Sequence, residues 1–275
     1  MKQLLVCLTF DFDAMSGLVA RGMTSPSAVS RGEFGAVAVP RILSLLQRYE
    51  IASTFFVPGV VIGTYPELCE RIVTAGHEIG NHGWSHLPPS SMSHEQEDEG
   101  FERSNEIIKK LTGESPAGYR SPSWDLSPNT LELLLKHGFL YESSMMGNDY
   151  TPYFARANDF IDVHEPMQFG QPTSLVEMPI SWSLDDFPHF EFLRTESSVM
   201  VGLNNANLVL ENWVDDFEYM RQVCDWGVLT YTFHPYVIGR GHRMLMLERL
   251  IKTLKNKGAT FVTMKTAANE FLGRS

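Results

Sequence analysis

A parallel α/β fold of the barrel kind is what this sequence predicts, and three observations predict it. Short β-type runs alternate with helix-period patterns along the whole chain. The 275 residues are 43% hydrophobic, enough for a sizeable core, and α/β barrels reach this length as one domain. Acidic residues and histidines fall where predicted strands run out, which is where β/α barrels gather their active-site groups. A single unit spanning 1–275 is therefore expected.

Leu4 to Phe10 reads as a first, buried strand. Pro40 then opens a helix whose Ile42, Leu43, Leu45, Leu46 and Tyr49 recur at helical spacing. Ser53 to Val57 is the next strand. A helix starting near Pro66 carries Leu68, Ile72 and Val73 and stops at Gly76, ahead of a strand from His77 to His82. Ser93 with Gln96 makes a capping box before HEQEDEGFERSNEIIKKL, where acids crowd the start and Lys109 and Lys110 close the end, as the helix dipole favours. That charge run reads as a solvated face. A short strand around Tyr119 precedes a helix capped by Ser127, with Pro128 in its first position and Leu131, Leu134 and Leu135 on its apolar side. From about Ser143 to Ser174 no period is sustained, and loops that long are usually functional or disordered. Val176 to Ile180 resumes as a strand, Asn207 to Cys224 as a helix, Val228 to Phe233 as a strand, Arg243 to Lys257 as a helix ended by Gly258, and Thr260 to Thr263 as the last strand.

The formal net charge of -11 argues against a general affinity for nucleic acid or an anionic membrane, which would need clustered Lys and Arg. A small or neutral substrate fits better. MKQLLVCLTFDFD has no signal-peptide pattern, and no apolar stretch approaches the roughly 20 residues of a membrane span. Cys7, Cys69 and Cys224 are odd in number and share no metal-ligand spacing, so a reduced, cytoplasmic chain is expected.

In TFDFD, Asp11 and Asp13 sit two apart at a strand end, a spacing that points both carboxylates to one side. Alone, such a pair reads equally as an acidic loop start. NHGWSH places His82 and His86 four apart, a spacing that suits one face of a helical turn. Two imidazoles and one carboxylate from separate strand ends form a three-ligand set with positions left for water, and zinc is the metal such donors favour. Arg120 in GYRSPSW is placed to orient a buried carboxylate by bidentate hydrogen bonds, or to form an ordinary salt bridge. His234 in YTFHPY directly follows an apolar strand and has the side chain suited to proton donation near neutrality. Asp185 and Asp186 in SWSLDDFPHF are both candidates to fix that histidine, or to start a loop.

Taken together and in order, TFDFD, NHGWSH, YRSPSW and FHP resemble the polysaccharide deacetylase family with the NodB homology domain, from about Leu4 to Phe271. The resemblance implies a distorted (β/α) barrel, with Asp11 as general base, Asp13, His82 and His86 as metal ligands, Arg120 as the buttress of the base and His234 as the acid. The usual opening motif has adjacent aspartates followed by glycine, whereas here Phe12 separates them and Ala14 follows. That spacing is similar to a side branch with allantoinase-like, cyclic-imide hydrolase-like and atypical peptidoglycan deacetylase-like members. RGEFG, here Arg31 to Gly35, also occurs in that branch, and its members tend to be tetramers, which implies a homo-oligomer.

The function expected is metal-dependent hydrolysis of a non-peptide amide, acting on a small molecule or an acetylated sugar. Asp11 takes a proton from water, and an amide of the Ser121 to Trp124 turn assists the oxyanion. Glu33, Ser121, Pro122, Trp124 and Trp182 are the expected substrate contacts. The aromatic stretches at 150–154 and 181–190 are expected over the strand ends, favouring small substrates over long glycans. Two other readings use the same residues: a cyclic imide or ureide hydrolase, and a carbohydrate-binding barrel without turnover.

Overall fold

A computed structural model of the chain describes residues 2–194 and 199–274. Its strands are β1 (Gln3–Asp11), β2 (Thr54–Val57), β3 (Glu78–Asn81), β4 (Gly118–Tyr119), β5 (Tyr141–Glu142), β6 (Tyr153–Ala157), β7 (Gln171–Glu177), β8 (Leu193–Arg194), β9 (Val199–Met200), β10 (Trp226–Phe233) and β11 (Thr260–Phe261). The main sheet runs β10-β1-β2-β3-β4-β5-β7-β6, with β11 also on β1, and β8 pairs with β9 as a separate ribbon. Every pairing in the main sheet is parallel except β6 with β7. Curled on itself and wrapped by helices, the sheet is the expected distorted barrel.

Alternation along β1 divides the molecule into two apolar layers. Leu4, Val6, Leu8 and Phe10 face outward into a core shared with Ile42, Leu45, Leu46 and Leu250 of the surrounding helices. Leu5 and Cys7 face inward with Phe56, Tyr141, Val176 and Val228, and the helix Met264–Leu272 plugs that interior with Met264, Ala267 and Ala268. Thr9 and Asp11 continue the inward row, so the same alternation that buries β1 delivers Asp11 to the barrel interior.

Several elements depart from the sequence reading. Pro40 lies inside a helix that begins at Pro26, with Ser25 as N-cap accepting from the Ala28 amide. A proline fits an N-terminal turn more easily than an interior, so Pro40 looked like the start. The helix Thr130–Lys136 is entered through Asn129, two residues later than expected, while the Ser127 hydroxyl accepts from the Asn129 amide and donates to Glu97. Glu97 is consequently buried, an exception to the solvated face expected of its helix. The capping box of Ser93 and Gln96 is present, and Gly113 closes that helix at φ 84. The stretch 143–174 contains β6 and the start of β7, a hairpin with a register shift that blurs the period-2 signal.

Candidate active site at the strand ends

Four loops carry the site, each entered from a strand. β1 ends at Asp11, and Asp13 follows in a turn whose next residue, Ala14, sits at φ 46 while the Asp13 carbonyl accepts from the Ser16 amide and hydroxyl. β3 ends at Asn81, whose side chain takes the Gly83 amide, and Gly83 at φ 71 turns the chain so that His86, itself at φ 62, comes back beside His82. His82 and His86 are therefore partners through a loop, and the helical turn expected from their spacing is absent. The amides of Gly59 and Val60 hold this loop through the carbonyls of Gly83 and Trp84. Ser123 and Trp124 also have positive φ. Four of the seven non-glycine residues of this kind among the described residues thus belong to the site, where strained backbone is most often kept.

Three imidazoles converge on one carboxylate. His82 Nε2 is 3.4 Å from Asp13 Oδ1, His86 Nε2 is 3.2 Å from Oδ2, and His234 Nε2 is 3.8 Å from Oδ2. All four side chains are buried. Burial alone would raise the Asp13 carboxyl, but His86 and His82 hold it well below the usual carboxylate range. Asp13 Oδ1 is buried without a hydrogen-bond partner, a costly state for a charged oxygen unless something further binds it. Asp13, His82 and His86 bring one ligand atom each within 4.8 Å of one another. His82 Nδ1 lies 2.7 Å from the Arg120 carbonyl, which fixes the tautomer with Nε2 free to ligate. The donor set and the orphaned oxygen both fit a divalent metal.

Asp185, Asp186 and His234 form a second buried group within the same distance limit. Its atoms mostly engage one another, although Asp186 Oδ2 is buried without a hydrogen-bond partner. Asp186 Oδ1 accepts from the His234 amide at 3.0 Å and faces His234 Nδ1 at 2.8 Å, while Asp185 Oδ1 is 3.5 Å from that nitrogen and caps the Phe187 amide. Of the two aspartates, Asp186 is the orienting partner and Asp185 the cap. Burial disfavours the imidazolium, but Asp185, Asp186 and Asp13 outweigh it and raise His234 to about 10. A protonated, oriented histidine is a proton donor.

Arg120 is fully buried and stacks over Phe56 at 4.3 Å. Its Nη1 donates to Asp11 Oδ1 and to Thr9 Oγ1, both at 2.8 Å, while Nε and Nη2 go to the carbonyl and hydroxyl of Ser143. The contact with Asp11 is thus single, not bidentate, because the fork is shared with Ser143. Thr9 and Ser143 were not marked in the sequence. Thr9 was legible in principle, two residues before Asp11 on the inward row, whereas Ser143 lies where no period is sustained.

The expected substrate contacts separate. Trp124 stacks on Trp182 with centroids 4.1 Å apart, the first buried and the second 42% exposed, which leaves an aromatic face open to solvent. Pro122 packs beneath this turn beside Gly83. Ser121 is fully buried: its amide donates to Ser144 and its hydroxyl to the Asp125 carbonyl, while the Trp124 amide is taken by the Ser121 carbonyl. Neither of these amides is free for an oxyanion, so within that turn only the Ser123 amide is left to meet the expectation, Pro122 having no N–H. Glu33 is exposed on the helix Pro26–Arg48, where its charge acts on Tyr65. The aromatic stretch at 150–154 is also elsewhere, with Tyr150 buried on Asp216 and Phe154 against Phe271.

A family model described as polysaccharide deacetylase matches residues 3–141, and a curated peptidoglycan deacetylase from Helicobacter pylori is 39% identical over 100% of this chain and 98% of its own length. The chain belongs to the polysaccharide deacetylase family. It is accordingly a hydrolase of carbon–nitrogen bonds other than peptide bonds, in a family of metal-dependent amide hydrolases. A peptidoglycan deacetylase-like protein of Gibberella zeae is 29% identical, covering 98% of this chain and 87% of the relative. A solved structure provisionally assigned as a polysaccharide deacetylase from Mycobacterium smegmatis superposes with TM-score 0.86 at 30% identity, over 99% of this deacetylase and 91% of that chain. Puue allantoinase, at 22% identity and TM-score 0.74 over 97% of this chain and 89% of its own, shares the fold.

Proposed function

We propose that this chain removes the acetyl group from an acetylated amino sugar by hydrolysis, with Asp11 as general base, His234 as general acid and zinc as the metal. The observation that carries this is the convergence of His82, His86 and His234 on Asp13, with Asp11 held two residues away by Arg120. Bound by Asp13, His82 and His86, zinc would supply a Lewis acid for the amide carbonyl and lower the pKa of a water. Asp11 accepts the water's proton, and Arg120 fixes its carboxylate through Oδ1. His234, carrying a proton and oriented by Asp186, delivers it to the departing nitrogen, since an amine leaves poorly as an anion. The exposed face of the Trp124–Trp182 stack offers a surface for a sugar ring.

That the relative from Helicobacter pylori is named a peptidoglycan deacetylase supports an amino-sugar substrate of the peptidoglycan kind. The three free cysteines suit a reducing, cytoplasmic setting, and no helix of the described residues is long and apolar enough to cross a membrane. A single folded unit, homo-oligomeric, with no nucleic-acid partner, completes the proposal.

Elemental analysis together with acetate release from N-acetylglucosamine oligomers and from peptidoglycan fragments tests it. We expect about one zinc per chain and activity lost on chelation and in His82→Ala. Full activity in a metal-free preparation and in His82→Ala would refute it.

A further inference from the structure

Behind the site, on the side of the sheet away from the barrel interior, two glutamates lie face to face with no cation. Glu142 on β5 and Glu177 on β7 are register partners on adjacent parallel strands, so their side chains leave the sheet on the same side. Both are fully buried. Tyr141 and Ser143, the neighbours of Glu142, point inward to Glu78 and Arg120, and Val176 joins the interior core. Leu175, two residues before Glu177, packs outward with Phe101, Tyr119, Leu133 and Leu134. The glutamates therefore sit in the dry layer between sheet and helices.

Their oxygens are used unequally. Glu142 accepts from the Ser144 amide at 2.8 Å with one oxygen and from the Ser144 hydroxyl with the other. Glu177 Oε1 accepts from the Met145 amide at 3.0 Å, and Oε2 is buried with no acceptor or donor assigned to it. Two bare carboxylates cannot share such a place without a proton between them. The oxygen left over is where that proton belongs.

We infer that Glu142 and Glu177 share one proton, carried by Glu177 Oε2 toward the Glu142 carboxylate, and that this pair is a positioning device for the Arg120–Ser121 peptide of the active site. The Ser144 hydroxyl donates to Glu142 and accepts from the Ser121 amide at 2.8 Å. The carbonyl of that same peptide, from Arg120, is the group facing His82 Nδ1. One peptide thus joins the glutamate pair to a metal-ligand imidazole, and its residue supplies the guanidinium on Asp11. Burial first, and then the Glu142 charge, push Glu177 well above the ordinary carboxylate range, the direction that favours its protonated form.

Tyr119 from β4 and Tyr153 from β6 face the pair, both phenols raised by burial foremost, so both stay neutral with it; Arg156 acts on Tyr153. Among the described residues neither glutamate has an ion-pair partner. Loss of the shared proton at alkaline pH places two charges in this layer, which opens the 144–145 turn and frees the Arg120–Ser121 peptide.

The inference rests on the reading of His82 as a zinc ligand, and the test separates the two. Isotope-edited infrared spectroscopy of the whole protein with labelled glutamate reads the proton directly. Competition with a chromophoric chelator from neutral to alkaline pH reads zinc affinity. We expect a protonated-carboxyl band at neutral pH that Glu177→Gln removes. Glu177→Gln retains a donor toward Glu142 and an acceptor for Met145, so it keeps zinc affinity at neutral pH and loses the alkaline decline. Glu142→Gln puts an amide donor against the two donors of Ser144 and weakens zinc binding by roughly 10- to 100-fold. Absence of the band, or a Glu177→Gln protein as impaired as Glu142→Gln, overturns the inference. A protein that shows the band but binds no zinc overturns the metal reading alone.

Discussion

Asp11 and Arg120 are a fully buried pair in which each charge depends on the other, since burial would otherwise expel both. Breaking such a pair costs about 3–5 kcal/mol, because one charge is left without compensation. Arg120→Gln is therefore expected to lose stability on that order in denaturant unfolding, and Asp11→Asn less, since Thr9 and Ser143 still receive the guanidinium. Equal losses in the two variants would show that Thr9 and Ser143 contribute little. Turnover divides differently. Asp11→Asn and His234→Ala should each lower kcat by roughly 10²–10⁴, the usual share of general acid–base groups, and His234→Ala, which leaves Asp186 buried without its imidazole, should also lower the thermal midpoint. A His234→Ala enzyme with near-normal kcat on its true substrate would exclude the acid role. Asp11, Asp13, His82 and His234 were legible because each ends or closely follows a strand-like run, and His86 because of its spacing from His82. The spacing argument for the histidines was mistaken all the same, since a glycine-led loop and not a helical turn brings them together.

The helix Pro26–Arg48 shows how an element positions the site without contributing a ligand. A Cβ on Gly32 would come within 2.4 Å of Met15 Cα and 2.5 Å of the Ala14 carbonyl, the turn directly after Asp13. By helix propensity alone, Gly32→Ala would stabilise by about 1 kcal/mol. Overpacking against backbone costs about 1–3 kcal/mol and wins, so we expect a net loss of stability with weakened metal binding. Gly35→Ala, where the nearest atom is a Phe12 ring carbon at 3.3 Å, should be milder in both measurements. In the sequence RGEFG marks the resemblance to the side branch, and its two glycines are what the structure uses, against the turn after Asp13 and against Phe12. Proximity of a helix to a loop leaves no periodic trace in a sequence. At the other end of the barrel, His77 Nδ1 accepts the Ser53 amide and tethers β2 to β3, and burial lowers His77 to about 4. The unfolded chain binds a proton near 6.5 that the folded chain refuses until about pH 4. The contribution of this group is thus present above pH 6.5 and lost as pH falls from there toward 4. His77→Asn keeps an acceptor and cannot titrate, so its stability curve should lack that acid-side decline.

Across the whole molecule, strand order decides what a bound metal does to the fold. Asp13 follows β1, His82 and His86 follow β3, and His234 follows β10, so the site draws on strands ordered β10-β1-β2-β3 in the sheet. The parallel order and the curl follow from alternating strands and helices, which is why the barrel was legible from the sequence. The β6–β7 hairpin was not, because a register shift breaks its alternation and Glu142 and Glu177 are polar residues in buried positions. An ion held by Asp13, His82 and His86 ties the loops of β1 and β3 over the end of β2, and it satisfies the one charged oxygen of that group left without a partner. The unfolded chain does not hold those three residues together, so binding stabilises the native state according to free metal over Kd, by about 2.7 kcal/mol at a hundredfold excess. Thermal melts over a zinc titration should therefore show a midpoint that rises with zinc and falls on chelation. His82→Ala should flatten that dependence, whereas His234→Ala, which removes no ligand, should keep it. A midpoint indifferent to zinc and to chelator in the parent protein would mean that the three residues hold no metal. The buried charge on Asp13 would then depend on the imidazoles alone.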